Sequence, residues 1–322
     1  NITFCFVLSA TFTIFATIST ATRKMHTELF QKNVALLSRI SDEDRSVMPC
    51  NDAPLPSVDA LRDVVRLVRN IVFPGFFDRR QVCDEIHSYH IGVYLEQLYG
   101  QLRRQIALAL LFDSDRCEDS ADGEAEKLAA DFIDRLPAIK QTLRTDVEAI
   151  YDDDAAAKSR SEIIFCYPVV TAMLHYRVAH QLYVARIPVL PRIITEMAHA
   201  LTGIDIHPGA EIGPYFSIDH GTGVVIGETC VIGSHVTLYQ GVTLGARNYK
   251  LTHGGQPKGQ ARHPVIGDRV TIYSNTTVLG RVTIGHDTVI GGNIWITHDI
   301  APGSKILQSK AIDITFTGGL GI

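Results

Sequence analysis

A six-residue rhythm in the last third of the chain constrains its fold more than any other feature. Ile206, Ile212, Ile218, Val224, Cys230, Val236 and Val242 stand six apart, and Ile266, Ile272, Val278, Ile284, Ile290 and Ile296 resume the step. Twelve of these thirteen positions are Ile or Val, and the 24 residues from Val242 to Ile266 are four whole sixes, which predicts a single register carried across an interruption. Neither a helix of period 3.6 nor a strand of period 2 sustains that spacing. A parallel β-helix does. Each unit supplies a short strand and a turn, its aliphatic residue points inward, and stacked coils satisfy one another's backbone groups. The stretch 246–263, rich in Gly, Lys, Gln and His, cannot fill an apolar column and reads as a loop ejected from the coil. Loops on rigid scaffolds are where function concentrates.

Ahead of Gly203 the apolar residues fall at helical spacing. Leu61, Val64, Val65, Val68 and Val72 make one stripe and Leu95, Leu98, Leu102, Ile106 and Leu110 another. A polar stretch, 113–124, breaks the pattern, and 131–147, 163–182 and 191–201 read as further helices. Residues 1–21 carry no charge, yet thirteen apolar residues in 21 fall short of the about 20 predominantly apolar residues a membrane span needs. The expected organisation is therefore an apolar leader over 1–24, a helical domain over 25–203, a parallel β-helix over 204–303 with a loop at 246–263, and a flexible tail over 304–322. The net charge of −5 offers no basic footprint for nucleic acid. Six cysteines without a CxxC pair argue against a zinc cluster or a disulfide framework and suit buried thiols in the cytoplasm.

Three polar clusters interrupt the repeats: Asp205-Ile206-His207, Asp219-His220-Gly221-Thr222-Gly223 and Arg262-His263-Pro264. Asp205 and Asp219 are fourteen residues apart, close to one coil of three sixes, so adjacent coils are expected to bring Asp205 beside His220. A carboxylate next to an imidazole fixes its tautomer and supports the imidazolium formed when it takes a proton. Such a pair suits a general base acting on a hydroxyl. Arg262 offers a planar fork for a carboxylate or phosphate.

The run Gly203-Ile-Asp-Ile-His-Pro-Gly-Ala-Glu-Ile-Gly213, followed by Ile218-Asp-His-Gly-Thr-Gly-Val-Val-Ile-Gly-Glu228, Val242-Thr-Leu-Gly245 and Arg262-His-Pro264, resembles the signature of the serine O-acetyltransferases. Upstream, Asp152-Asp-Asp154 is similar to that family's Asp-x-Asp-Pro-Ala segment, with Ala155 in place of the proline. The resemblance covers about residues 140–303. It implies an α+β chain: a helical amino-terminal domain followed by a left-handed parallel β-helix of hexapeptide repeats, in trimers that pair into hexamers. It also implies roles. His220 would be the general base on the L-serine hydroxyl with Asp205 orienting it, Asp154 and Asp219 would hold the ammonium, Arg262 would grip the carboxylate, and His263 would line the pocket. Acetyl-CoA would lie in the groove between neighbouring β-helices over the main chain near Gly245 and Ala246, with no metal and no acyl-enzyme. The end of the chain, Thr317-Gly-Gly-Leu-Gly-Ile322, is similar to the tail by which this family enters O-acetylserine sulfhydrylase: an apolar side chain beside a free carboxylate imitates an amino acid. Two other readings stay open: a hexapeptide-repeat acetyltransferase for a sugar or antibiotic hydroxyl, and a zinc-dependent, carbonic anhydrase-like trimer fed by His220, His235, His253 and His263.

Overall fold

The computed structural model describes residues 26–49, 54–78, 84–112, 118–247 and 260–309. The leader, most of the expected loop (248–259) and the end of the tail, including Ile322, lie outside the described residues. The chain divides into two compact units, 1–52 and 53–322. The first contains helix α1 (26–37) and the short α2 (Asp42–Arg45), whose start is fixed by a reciprocal capping box between Ser41 and Asp44.

The second unit opens with α3 (Val58–Val72), α4 (Asp84–Leu111), α5 (Glu118–Asp153), α6 (Arg160–Cys166), α7 (Pro168–Val184) and α8 (Leu190–Thr202). Two helices differ from the sequence expectation. The 113–124 break is shorter than it reads, because α5 already runs from Glu118. Its early turns are buried through Ala121, Ala125 and Ala129 ahead of Phe132 and Leu136, a stripe too small in side-chain volume to stand out among acids. The 163–182 helix is two helices. Tyr167 is extended (φ −82, ψ 126) and Pro168 opens α7, as the clash of proline with the residue before it requires.

Among the described residues fourteen short strands follow, and β1 to β13 visit three parallel sheets in rotation. The first face holds β1 (Asp205–Ile206), β4 (Val225–Ile226), β7 (Thr243–Gly245), β10 (Thr277–Leu279) and β13 (Trp295–Ile296). The second holds β2 (Glu211–Ile212), β5 (Val231–Ile232), β8 (Val265–Ile266) and β11 (Thr283–Ile284). The third holds β3 (Ser217–Asp219), β6 (Thr237–Tyr239), β9 (Thr271–Ile272), β12 (Val289–Ile290) and β14 (Lys305–Ile306). This is a left-handed parallel β-helix behind a helical region, and its ladder runs on to Ile306.

The single register read across the interruption does not hold. Ile226 stacks on Leu244 eighteen residues on, a coil of three sixes. Ile206, however, stacks on Ile226, twenty residues on, and Ile232 on Ile266, thirty-four residues on. One coil therefore carries two extra residues at the turn holding His220, and another carries sixteen ahead of β8. Together the extra residues make one full coil, which is why the count of sixes returned to phase. Between them the strand column is Ile226, Ile232, Leu238 and Leu244, two residues later than expected. Val224, Cys230, Val236 and Val242 are still fully buried, immediately before or between strands.

A polar joint ties the helices to the first coil. The Arg177 guanidinium on α7 forks onto Asp146 of α5 (both bonds 3.1 Å) and donates on to the carbonyls of Ile212 and Gly213. Asp146 also accepts from the Phe216 amide at 3.1 Å, and the Tyr176 hydroxyl donates to the Ala210 carbonyl at 2.6 Å. Both members of the ion pair are under 10% exposed, a setting in which removing one partner is far costlier than the pair is stabilising. The joint aims the carboxyl end of α5 at the third face. Among the described residues, no helix is long and apolar enough to cross a membrane.

Candidate active site

The sequence-derived candidates gather at two corners of the β-helix. The first is the turn from the third face to the first. Here α5 delivers Asp153, which accepts from the Thr237 hydroxyl on β6 at 2.7 Å. The next residue, Asp154, accepts from the Ala156 amide at 2.8 Å and from the Tyr167 phenol at 2.6 Å. The Tyr167 bond, then the Ala156 amide, hold the Asp154 carboxyl below the usual range, and the charge of His220 acts in the same direction. The same bond pushes the Tyr167 phenol up to about 12. Asp219 ends β3, with its carboxylate 3.7 Å from His220 Nε2. That distance is electrostatic contact, too long for a hydrogen bond. His220 is 72% exposed and occupies the left-handed region (φ 58), so the turn turns its ring outward. The corner is open and acidic and holds the exposed His220 imidazole.

Asp205, expected beside His220, opens β1. The ladder sets it opposite Val225, because of the two extra residues in that coil. Among the described residues no hydrogen bond or ion pair joins it to the ring, and the carboxylate beside His220 is Asp219.

The second corner is the turn from the first face to the second. Arg262 is engaged by the protein itself, its Nη2 donating to Glu228 at 2.7 Å. Burial pushes the Glu228 carboxyl up, but the Arg262 bond and the neighbouring charges outweigh it and leave it below its ordinary value. Glu228 also accepts from the Tyr183 hydroxyl of α7 at 3.2 Å. Thr229 ties the return of the chain: its hydroxyl oxygen accepts from the amides of Arg262 (2.9 Å) and His263 (3.1 Å), while its own amide donates to His263 Nδ1 at 3.1 Å. Nδ1 is thus an acceptor, which puts the proton of the neutral ring on Nε2. Burial, then the Arg262 charge, lowers the His263 pKa. Burial, then the Arg192 charge, lowers that of nearby His207 to about 4. Gly227 makes this packing possible, since a Cβ there would come within 2.0 Å of the His263 ring.

Gly245 and Ala246 stand at this second corner, both half-buried, where the chain leaves β7 toward residues 248–259. The Gly245 carbonyl accepts from the Gly280 amide at 2.9 Å. Among the described residues no hydrogen bond or ion pair links the two corners, and no three His, Cys, Asp or Glu side chains stand close enough to hold a metal. Of the cysteines, Cys230 is buried with its thiol pushed up to about 12 by desolvation, whereas Cys166 is exposed rather than buried. Sequence reasoning missed Tyr167 and Glu228. The first was visible only as the residue before Pro168. The second lay within the quoted Ile-Gly-Glu run without a role.

Comparison with known proteins bears on this geometry. The plasmid serine acetyltransferase of Synechococcus elongatus is 46% identical over 276 residues, which is 84% of this chain and 86% of that one. The serine acetyltransferase of Bacillus subtilis is 46% identical over 138 residues, 43% of this chain and 60% of that one. Among solved structures, Entamoeba histolytica serine acetyltransferase 1 in complex with L-cysteine superposes with a TM-score of 0.68 at 35% identity, covering 80% of this chain and 90% of that one. Neisseria gonorrhoeae serine acetyltransferase in complex with serine gives 0.51 at 25% identity, covering 78% and 97%. No family model matches the chain.

Proposed function

The chain belongs to the serine acetyltransferases, acyltransferases that use serine and acetyl-CoA, and on that premise we propose that its two corners serve one reaction by meeting across a subunit boundary. The observation that carries this reading is the split itself. The free imidazole with its acidic neighbours stands at one corner of the β-helix, and the cationic fork with its buried histidine stands at another. A zwitterionic acceptor needs both, and neither corner alone provides both. Trimers built around a threefold axis would set the first corner of one protomer against the second corner of the next.

In the assembled site His220 takes the proton of the serine hydroxyl. Asp219 supports the imidazolium that results, and Asp205 acts on the same ring from β1. Asp154 and Asp219 hold the ammonium, the former held in place by the Tyr167 bond. Arg262, levelled by Glu228, faces the carboxylate, and His263 closes the pocket wall with a neutral ring. Acetyl-CoA supplies the thioester that the serine oxygen attacks directly. Gly245 and Ala246, the smallest residues at that corner, leave main chain open for it. The terminal Ile322 with its carboxylate is the contact for O-acetylserine sulfhydrylase; deleting it should weaken capture of that enzyme and spare acetyl transfer, and unchanged capture would refute the assignment.

Two measurements test the reading. Acetyl-CoA consumption should be fastest with L-serine when serine, homoserine and a sugar acceptor are run side by side; equal rates with the sugar would overturn the substrate assignment. Mixing His220→Ala and Arg262→Ala chains and assaying at serine well below the wild-type KM, where both parents are slow, should restore roughly a quarter of wild-type turnover, the share of interfaces that pair two intact corners at equal mixing. No recovery in demonstrably mixed trimers would place the whole site within one protomer.

A further inference from the structure

The helical region contains a cavity that the acetyl-transfer reading leaves unused. It measures about 310 Å³ and lies between α3, α7 and the end of α8. Its walls are apolar: Val65, Phe73, Phe77, Val170, Leu174 and the exposed Leu201 at the rim. Its polar groups come from a cationic edge of α3 and from the floor. Arg62, Arg66 and Arg69 line it from α3, three and four residues apart, and so on one side of the helix. Thr171 and His175 lie opposite, on α7.

The three arginines are not equivalent. Arg62 is bound to Asp59 and Arg66 to Asp63, both on the exposed side of α3. Among the described residues no carboxylate pairs with Arg69. Its guanidinium lies over the Phe77 ring at 4.1 Å, and its Nε is buried without a hydrogen-bond partner. Desolvation, then the like charge of Arg66, lowers the Arg69 pKa, as expected of a cation that lacks a counter-charge. His175 supplies no counter-charge, since an imidazole is neutral or cationic. It is 7% exposed, its Nδ1 is within 2.7 Å of the Thr171 carbonyl, and burial lowers its pKa. A buried donor left unmade costs more than an ordinary bond contributes. An apolar chamber with one orphaned cationic donor matches a ligand with an apolar body and a single anionic head.

We propose that this cavity is a binding site for a small amphipathic monocarboxylate, whose carboxylate pairs with Arg69 while its hydrocarbon fills the space between Val65, Phe73, Leu174 and Leu201. Arg69 is the selective element, because a guanidinium takes a carboxylate in two parallel bonds. The aromatic ring beneath it holds the fork at the cavity mouth. The site lies in the helices, apart from both corners of the β-helix, so its ligand would not compete with serine.

Calorimetric titration of the full chain with sodium octanoate, below its micelle concentration and with 1-octanol as a neutral control, tests this. The expected result is saturable binding at one site per chain for octanoate, at least about tenfold weaker for octanol. Arg69→Met, which keeps the stem and removes the charge, should weaken octanoate at least about tenfold and leave octanol unchanged. Leu201→Trp, a rim substitution that fills the mouth without touching Arg69, should abolish binding of both. Octanoate binding that survives Arg69→Met, equal affinity for octanol, or no heat up to millimolar octanoate would each overturn the proposal.

Discussion

The two corners of the β-helix differ in how far they are finished. At the His220 corner the side chains are open, the carboxylates of Asp154 and Asp219 outnumber the cations, and half of the groups come from the helices. At the Arg262 corner the named side chains are already engaged: Arg262 by Glu228, Glu228 also by Tyr183, and the neutral His263 by Thr229. A base that must gain and lose a proton profits from exposure and mobility of charge. A fork that must not collapse onto its substrate profits from being held. One corner is arranged for chemistry and the other for position.

The largest test of that contrast is His220→Ala. Turnover should fall about 10²–10⁴-fold, the usual share of general-base catalysis, with the fold intact because the ring is exposed; near-normal rates would dissolve the distinction. Arg262→Ala should act on binding, raising the KM for serine about ten- to a hundredfold while kcat changes little. An effect confined to acetyl-CoA would reassign the residue. Gly227→Ala should destabilise the chain by about 1–3 kcal/mol in urea unfolding, because the His263 ring must move to admit the methyl group. The equivalent change at an open position of the first corner would cost far less. Tyr167→Phe removes the largest of the bonds that lower the Asp154 pKa and hold its carboxylate in place, so the KM for serine should rise about three- to tenfold, with the acid limb of the pH profile displaced upward as the Asp154 carboxyl returns toward its ordinary value. The smallest effect belongs to pH and stability. The folded pKa of His207, about 4, lies below its unfolded value of about 6.5. The unfolded chain therefore binds more protons in between, and Tm should decline as pH falls through that window. His207→Asn should flatten the decline, and an unchanged slope would show that His207 is not desolvated in the folded state.

The coil was legible because its periodicity is local: each six-residue unit carries its own inward aliphatic residue, and no long-range contact is needed to see it. The error in register arose from the same regularity. Two insertions that add up to one coil leave the count of sixes undisturbed, and only strand pairing reveals that Ile206 faces Ile226. Helices α5 and α6 were harder for opposite reasons. Alanine buries too little area at Ala121, Ala125 and Ala129 to mark a stripe, while Pro168 ended a helix that the apolar spacing carried straight through. At the site, single residues with strong chemical identity, His220, Asp219, Arg262 and His263, stood out. Their partners did not. Tyr167 meets Asp154 only because the chain turns back after α5, and Glu228 meets Arg262 across 34 residues. The spacing argument for Asp205 and His220 assumed coils of uniform length, which the two extra residues of that coil do not keep.

The backbone of His220 has a consequence for how this protein would respond to selection. Along the ladder, the left-handed position three residues before each first-face strand column is held by Gly223, Gly241, Asn275 and Asn293, the residue types that adopt it at least cost. In the first coil the longer turn adds a further left-handed residue, His220 at φ 58, in a conformation that costs an ordinary L-residue roughly 1–2 kcal/mol. A library screened for folded protein alone, with no demand for acetyl transfer, should therefore drift at position 220 toward glycine or asparagine. Such drift would mark the reactive corner by what is discarded there, without a single turnover being measured.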